Sequence, residues 1–339
     1  MTKAMSPPVQ TTSPPPNKQR FQFAKYQDLA LVPAIVLLIV IGAVLNPTFL
    51  TADNLIAVLQ FQSELSLLVL AQALILIVGK MDLSLESTIG IAPAVAIALV
   101  IPVASNGLGV ELPAWTAIPV CLLTGALIGG FNGFLILKVG LSGFMVTLGM
   151  LTMLRGLQEA LTKGQTLFDV PESFLYLGAA RWAGLPAAVW ICIVLFAVGI
   201  FTMSYLRQGR SLYAIGGNKE AARAAGIRVD RVVWIVLIIG GVLAAIAGVL
   251  MTGRLGTVAV SQGAGMIFKV FAAAVIGGIS LQGGKGTLFG ALSGVLMLGL
   301  VEQILRLQGV SGYYINASYG AVIILALVVT RFATGQKQE

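Results

Sequence analysis

A chain of 339 residues that is 58% hydrophobic and only 10% charged is not a soluble globule, in which roughly 25% of residues carry charge. Its 40 glycines, about 12% of residues against a usual ~7%, suit apolar helices packed closely in lipid. At ~20 residues per span the length holds about ten spans and no soluble catalytic domain. The formal charge of +8 fits either a nucleic-acid surface or the basic cytoplasmic loops of a membrane protein.

In chain order, residues 1–28 are polar and contain Pro7, Pro8, Pro14, Pro15 and Pro16. They predict a disordered cytoplasmic tail with no cleaved signal peptide. Apolar runs follow at about 29–46, 55–78, 85–104, 116–137, 143–162, 187–206, 233–252, 267–280, 288–305 and 315–331. These predict an all-α bundle of about ten transmembrane helices over 29–332, closed by a cytoplasmic tail at 333–339. The eighth run is too short for a straight crossing and is expected to be irregular at its glycine-rich end.

Basic residues set the orientation. Lys3, Lys18, Arg20 and Lys25 precede the first span, and Arg207, Arg210, Lys219, Arg223, Arg228 and Arg231 follow the sixth. An even number of spans separates the two groups, so both face the cytoplasm, as do Arg331 and Lys337 after four more. Both termini are therefore expected inside. About fifteen of the 21 basic residues fall on that side. The charge reports orientation, and nucleic acid is not an expected partner.

Histidine is absent, which removes His-based acid–base catalysis, His metal ligation and Ser-His triads. Cys121 and Cys192 each sit inside an apolar run without CxxC spacing and read as small hydrophobes rather than as a disulfide or metal pair. No catalytic residue and no metal site are expected. The GGKGT run around Lys285 is not a phosphate-binding loop, because Ile279 and Gly286 stand where the motif needs Gly and Ser or Thr.

The polar run Gly79–Ser84 places Asp82 and Ser84 next to a helix start, with Ser84 a candidate cap and Glu86 in the first turn. A second run, Gly277–Gly286, lies by parity at the same face and contains Gly278 and Ser280. Irregular backbone at membrane depth survives only inside protein or beside water. Asp82, Ser84, Gly277, Gly278 and Ser280 are thus gate or cavity candidates; ordinary helix ends at the lipid surface are the alternative. Gly125, Gly129 and Gly133, and again Gly286, Gly290 and Gly294, form ladders four residues apart that suit close helix packing, with a substrate path as the alternative. The ladders lie five spans apart, as an inverted repeat would have them, whereas the two polar runs lie six apart.

Ionisable residues inside spans are Glu64, Arg155, Glu159, Lys269 and Glu302. Spacing of i, i+4 predicts the pairs Arg155–Glu159 and Glu302–Arg306. Glu64 is left as the isolated acid that a proton-coupled carrier would use. Gln60, Gln62, Asn132 and Thr147 are candidates for hydroxyl contacts along a substrate path, and Phe61 and Phe144 for contact with a CH surface.

In the segment 207–231, Asn218 is placed to cap a short helix over 219–225, Glu220 lies in its first turn and Gly226 stops it. A small Ala-rich surface helix suits docking into a partner's groove; a solvated connector would have the same sequence. Glu220, Ala221, Ala222 and Gly226 resemble the EAA-xxx-G signature of permease subunits of ATP-binding cassette importers, without its Leu-Pro end. The stretch 77–84, the FMVTLG run at 144–149 with Arg155-Gly156, the TKGQ run at 162–165, and the ordered motifs from Gly216 to Gly286 resemble the ribose, xylose and arabinose type permeases. The resemblance runs from about residue 30 to 330. It implies a type II importer-like permease of the bacterial inner membrane, taking a monosaccharide or related polyol from a periplasmic solute-binding protein. It also implies a second permease, identical or related, and an ATP-binding cassette subunit that carries ATP and Mg, coupled through Glu220, Ala221, Ala222 and Gly226. No cofactor is expected on this chain, and lipid is its remaining partner. A branched-chain amino acid permease and a proton-coupled carrier are the alternatives.

Overall fold

The computed structural model describes residues 31–321 and 324. The expected N-terminal tail, the C-terminal tail and most of the tenth span lie outside those residues. The helices are α1 (Val32–Leu45), α2 (Ala52–Ile77), α3 (Leu85–Val100), α4 (Ala117–Leu137), α5 (Gly143–Thr162), α6 (Glu172–Ala179), α7 (Ala187–Tyr205), α8 (Arg207–Gly217), α9 (Lys219–Ala224), α10 (Val229–Leu255), α11 (Met266–Ile276) and α12 (Leu288–Leu307). Residues 312–321 are helical too. A two-stranded hairpin, β1 (Arg181–Trp182) with β2 (Leu185–Pro186), closes the segment before α7. Five helices, α2, α4 (with the 3₁₀ turn before it), α7, α10 and α12, are long and apolar enough to cross a membrane, whereas α1, α3 and α11 are shorter apolar helices.

Helices α2 and α10 form the centre. They pack on each other, and α10 also packs on α3, α4 and α6. The contact of α10 with α4 depends on the predicted glycine ladder. A Cβ at Gly129 would stand 2.2 Å from the Leu237 carbonyl oxygen and one at Gly125 would stand 2.3 Å from that of Gly241, so the helices meet backbone to backbone. Of the two readings of the ladder, packing is the one the structure shows.

Both short helices inside the bundle are preceded by irregular chain. Residues 78–84 lead into α3, and residues 256–265 lead into α11 through the positive-φ residues Gly256, Gly263 and Gly265. Helix α11 has 11 residues, about 16 Å at 1.5 Å per residue, roughly half of a ~30 Å hydrocarbon layer. Its glycine-rich end, as expected, is irregular. The break on its other side was not expected, because the run Thr257–Ala264 contains no charge and mixes apolar with small residues.

That second break corrects the objection to an inverted repeat. The breaks before α3 and α11 precede the third and eighth spans, and so do obey an offset of five. The packing repeats in step: α4 on α10 matches α12 on α2, α3 on α4 matches α11 on α12, and α3 on α10 matches α11 on α2. Spans an odd number apart run in opposite directions, so the two halves are inverted.

Candidate functional site

At one end of the bundle three pieces of chain meet. Helix α8, the first part of the segment 207–231, buries Leu212 and Ile215. Its end is wedged between the end of α2 and the loop after α11. A Cβ at Gly216 would lie 1.8 Å from the Ile77 carbonyl oxygen and 2.4 Å from the Gly284 nitrogen. The Gly284 N–H donates to the Ile77 oxygen at 2.9 Å, and the Tyr213 hydroxyl donates to the Gly286 oxygen at 2.8 Å. The two polar runs and the 207–231 segment therefore share one face, as parity required.

Helix α9 forms as expected. The Asn218 side-chain oxygen accepts from the Ala221 N–H at 2.9 Å, Glu220 lies in the first turn, and Gly226 ends the unit at φ +82°. Only Ala222 of this helix is buried, where it joins the core; Glu220 and Ala221 are exposed. A cavity of about 210 Å³ opens beneath, lined by Lys80, Asn218, Lys219 and Gln282 among others. Burial and the neighbouring Lys219 lower the Lys80 ammonium pKa, against the opposing field of Asp230.

Asp82 and Ser84 are both buried. One Asp82 oxygen accepts from the Ser84 N–H at 2.8 Å and from its hydroxyl at 2.6 Å. The Asn132 amide donates to the Ser84 oxygen at 2.8 Å and to the second Asp82 oxygen at 3.2 Å. One expectation is corrected here. Ser84 stands at the N-cap position but makes no side-chain cap bond, because its backbone is already helical at φ −69° and ψ −13° and its oxygen accepts from Asn132 instead. Asn132, a path candidate, is buried and bound into this network. On the other run, Gly277 packs on α12, where a Cβ would stand 2.5 Å from the Gly290 oxygen; Gly278 turns at φ +80°. The Ser280 N–H donates to the Lys285 oxygen at 3.1 Å and its hydroxyl oxygen accepts from the Gln282 N–H at 3.2 Å.

The remaining path candidates separate. Gln60 donates to the Gly178 oxygen at 3.1 Å, tying α2 to α6. Thr147 is buried with its hydroxyl donating to the Gly143 oxygen of its own helix at 2.9 Å. Phe144 lies on the exposed face of α5. Phe61 and Gln62 line a cavity of about 210 Å³ between α2, α10, α11 and α12.

Charge around this cavity is paired more fully than spacing suggested. Glu64 is not isolated: Arg254 reaches it twice, Nε to Oε1 at 2.6 Å and Nη2 to Oε2 at 2.9 Å, with the guanidinium 4.5 Å above the Phe61 ring. Arg155 does not pair with Glu159, which is exposed. It reaches Glu86 at 2.9 Å, and the other Glu86 oxygen accepts from the Ile267 N–H at 3.1 Å. Glu86 thereby neutralises the start of the half-helix α11. Glu302 pairs with Arg306 as expected and also binds the Tyr319 hydroxyl at 2.5 Å and Lys269 at 3.5 Å. The sequence carried one signal for Glu86, its first-turn position, but none for the distant partners. Cys121 and Cys192 are buried and unbridged, and among the described residues no cluster suits a metal ion.

A bundle with two broken spans, both gripped at one face by a helical platform that leaves most of a small helix uncovered, defines a multi-pass membrane transport subunit. The chain belongs to the family described as branched-chain amino acid transport system / permease component, which it matches over residues 54–329. It is 32% identical to the ribose import permease protein of Haemophilus influenzae over 308 residues, covering 90% of this chain and 93% of that one. To the ribose import permease protein of Escherichia coli it is 33% identical, covering 94% and 98%; to the L-arabinose transport system permease protein of Escherichia coli it is 30% identical, covering 97% and 98%. It is the membrane-spanning permease of an ATP-binding cassette importer, a transport subunit and not an enzyme, and it works with a separate ATPase and a substrate-binding partner.

Proposed function

We propose that this permease imports a monosaccharide or related polyol across the bacterial inner membrane, both termini facing the cytoplasm. Helix α9, with Glu220, Ala221, Ala222 and Gly226, docks on the ATPase subunit, which holds ATP and Mg. Closure of the ATPase pushes α8, and Gly216 passes that displacement to the end of α2 and to the loop after α11. The loops holding Asp82 and Ser84 and holding Gly277, Gly278 and Ser280 then act as the moving gate. The observation that carries this reading is the backbone contact of Gly216 with Ile77 and Gly284, which joins the platform to both loops without an intervening side chain. A second permease, a copy or a relative, completes the passage.

The sugar assignment rests on the relatives' names and on the order of motifs from Gly79 to Gly286. A branched-chain amino acid cargo is the second reading, favoured by the family's own description. The pairing of Glu64 with Arg254 removes the ground for a proton-coupled carrier. The test is uptake in proteoliposomes with the ATPase and binding protein. Gly226→Val forces a β-branched residue to positive φ, and Glu220→Lys reverses charge at the start of α9. Each is expected to abolish substrate-stimulated transport while the permease remains folded; unimpaired coupling contradicts the proposal.

A further inference from the structure

The cavity between α2, α10, α11 and α12 is two-sided. Val58, Leu65, Met251 and Met266 form apolar wall, while Gln62, Gln303, Lys269 and Glu302 bring polar groups to it. Gln62 is 7% exposed, yet its side-chain oxygen has no hydrogen-bond partner among the described residues. A buried acceptor left unpaired costs the full desolvation of that atom, a cost that a ligand's donor reaching it would offset. Gly299 leaves the room for the Gln62 side chain to lie against α12: a Cβ at that position would stand 2.5 Å from the Gln62 side-chain amide carbon. Lys269 is held by Glu302 through a single long contact of 3.5 Å and retains donors for a further acceptor.

We propose that this cavity is a binding site for one monosaccharide within the permease itself, with a sugar hydroxyl donating to the Gln62 oxygen. A sugar ring has an apolar CH face and a rim of hydroxyls that both donate and accept, matching the two walls. The cavity volume of about 210 Å³ is on the scale of one small ring and below the range of ~300–1,000 Å³ of drug-sized pockets. The ion pairs around it fix its walls and leave Gln62 as the unspent acceptor. This inference rests on the monosaccharide reading above.

The test is direct binding of D-ribose, L-arabinose and D-glucose to the full-length permease in nanodiscs, without binding protein or ATPase, followed by saturation-transfer NMR, with L-leucine as the comparison ligand. At least one sugar is expected to bind weakly. Gln62→Leu, which keeps size and removes the acceptor, and Gly299→Ala, which displaces the amide, are each expected to weaken it about tenfold; Glu159→Gln, outside the cavity, is expected to leave it unchanged. No sugar signal with wild type, or equal signals with wild type and Gln62→Leu, overturns the inference. Binding-protein-dependent uptake separates the two readings: monosaccharide uptake without binding at the cavity sinks this inference alone, and leucine uptake without monosaccharide uptake sinks the reading it rests on.

Discussion

Removing one member of a buried ion pair leaves the other charge stranded in low dielectric, which costs more than the pair contributes. Arg254→Met strands Glu64, which is 3% exposed, and is expected to destabilise the protein by about 3–5 kcal/mol. The double variant Arg254→Met with Glu64→Gln should recover most of that, as thermal unfolding in nanodiscs will measure. The corrected pairing of Arg155 makes a sharper contrast. Arg155→Gln breaks its 2.9 Å contact with Glu86 and frees the start of α11, whereas Glu159→Gln is expected to fall within about ±0.5 kcal/mol. An equal loss from both would restore the i, i+4 pair. Spacing found Glu302–Arg306 because both partners lie on one helix. It misassigned Arg155 and Glu64 because their partners sit 69 and 190 residues away, and nothing local marks such a partner.

Among the elements, α9 was legible because its cap, first-turn acid and stop residue are local chemistry, and the α4 ladder because its period belongs to one helix. Helix α8 was not. Its charges, Arg207 and Arg210, and its glycines read as connector, and it is stabilised by packing Leu212 and Ile215 against spans far along the chain. The irregular segment before α11 escaped for a related reason: its backbone oxygens find a partner far away in the chain, the Gln158 amide donating to the Ala259 and Val260 oxygens at 3.1 and 3.0 Å. Two element-scale outcomes follow. Asn218→Ala removes the α9 cap, worth ~1 kcal/mol, and is expected to raise amide exchange over residues 219–224 without unfolding the spans. Gly216→Ala places a methyl 1.8 Å from the Ile77 oxygen, so the platform must separate from the loops. ATPase activity in the assembled complex is expected to persist while transport per ATP falls severalfold. Unchanged stoichiometry would show that α8 does not carry the motion.

For the whole molecule, orientation and energy source are the claims at stake. Because Cys121 and Cys192 are buried, Glu220→Cys supplies a single accessible thiol, expected to react with an impermeant maleimide in inside-out vesicles and not in right-side-out ones. The reverse pattern would invert the topology. Inverted halves joined at one face by a platform make a device that does no chemistry of its own and takes its motion from another subunit. The central claim is tested most directly by uptake of radiolabelled D-ribose and L-arabinose into proteoliposomes containing the permease, its ATPase and its binding protein. The account predicts uptake of a monosaccharide that requires ATP and all three proteins and is lost in Glu220→Lys; uptake by the permease alone, driven by a pH gradient without ATP, would contradict it.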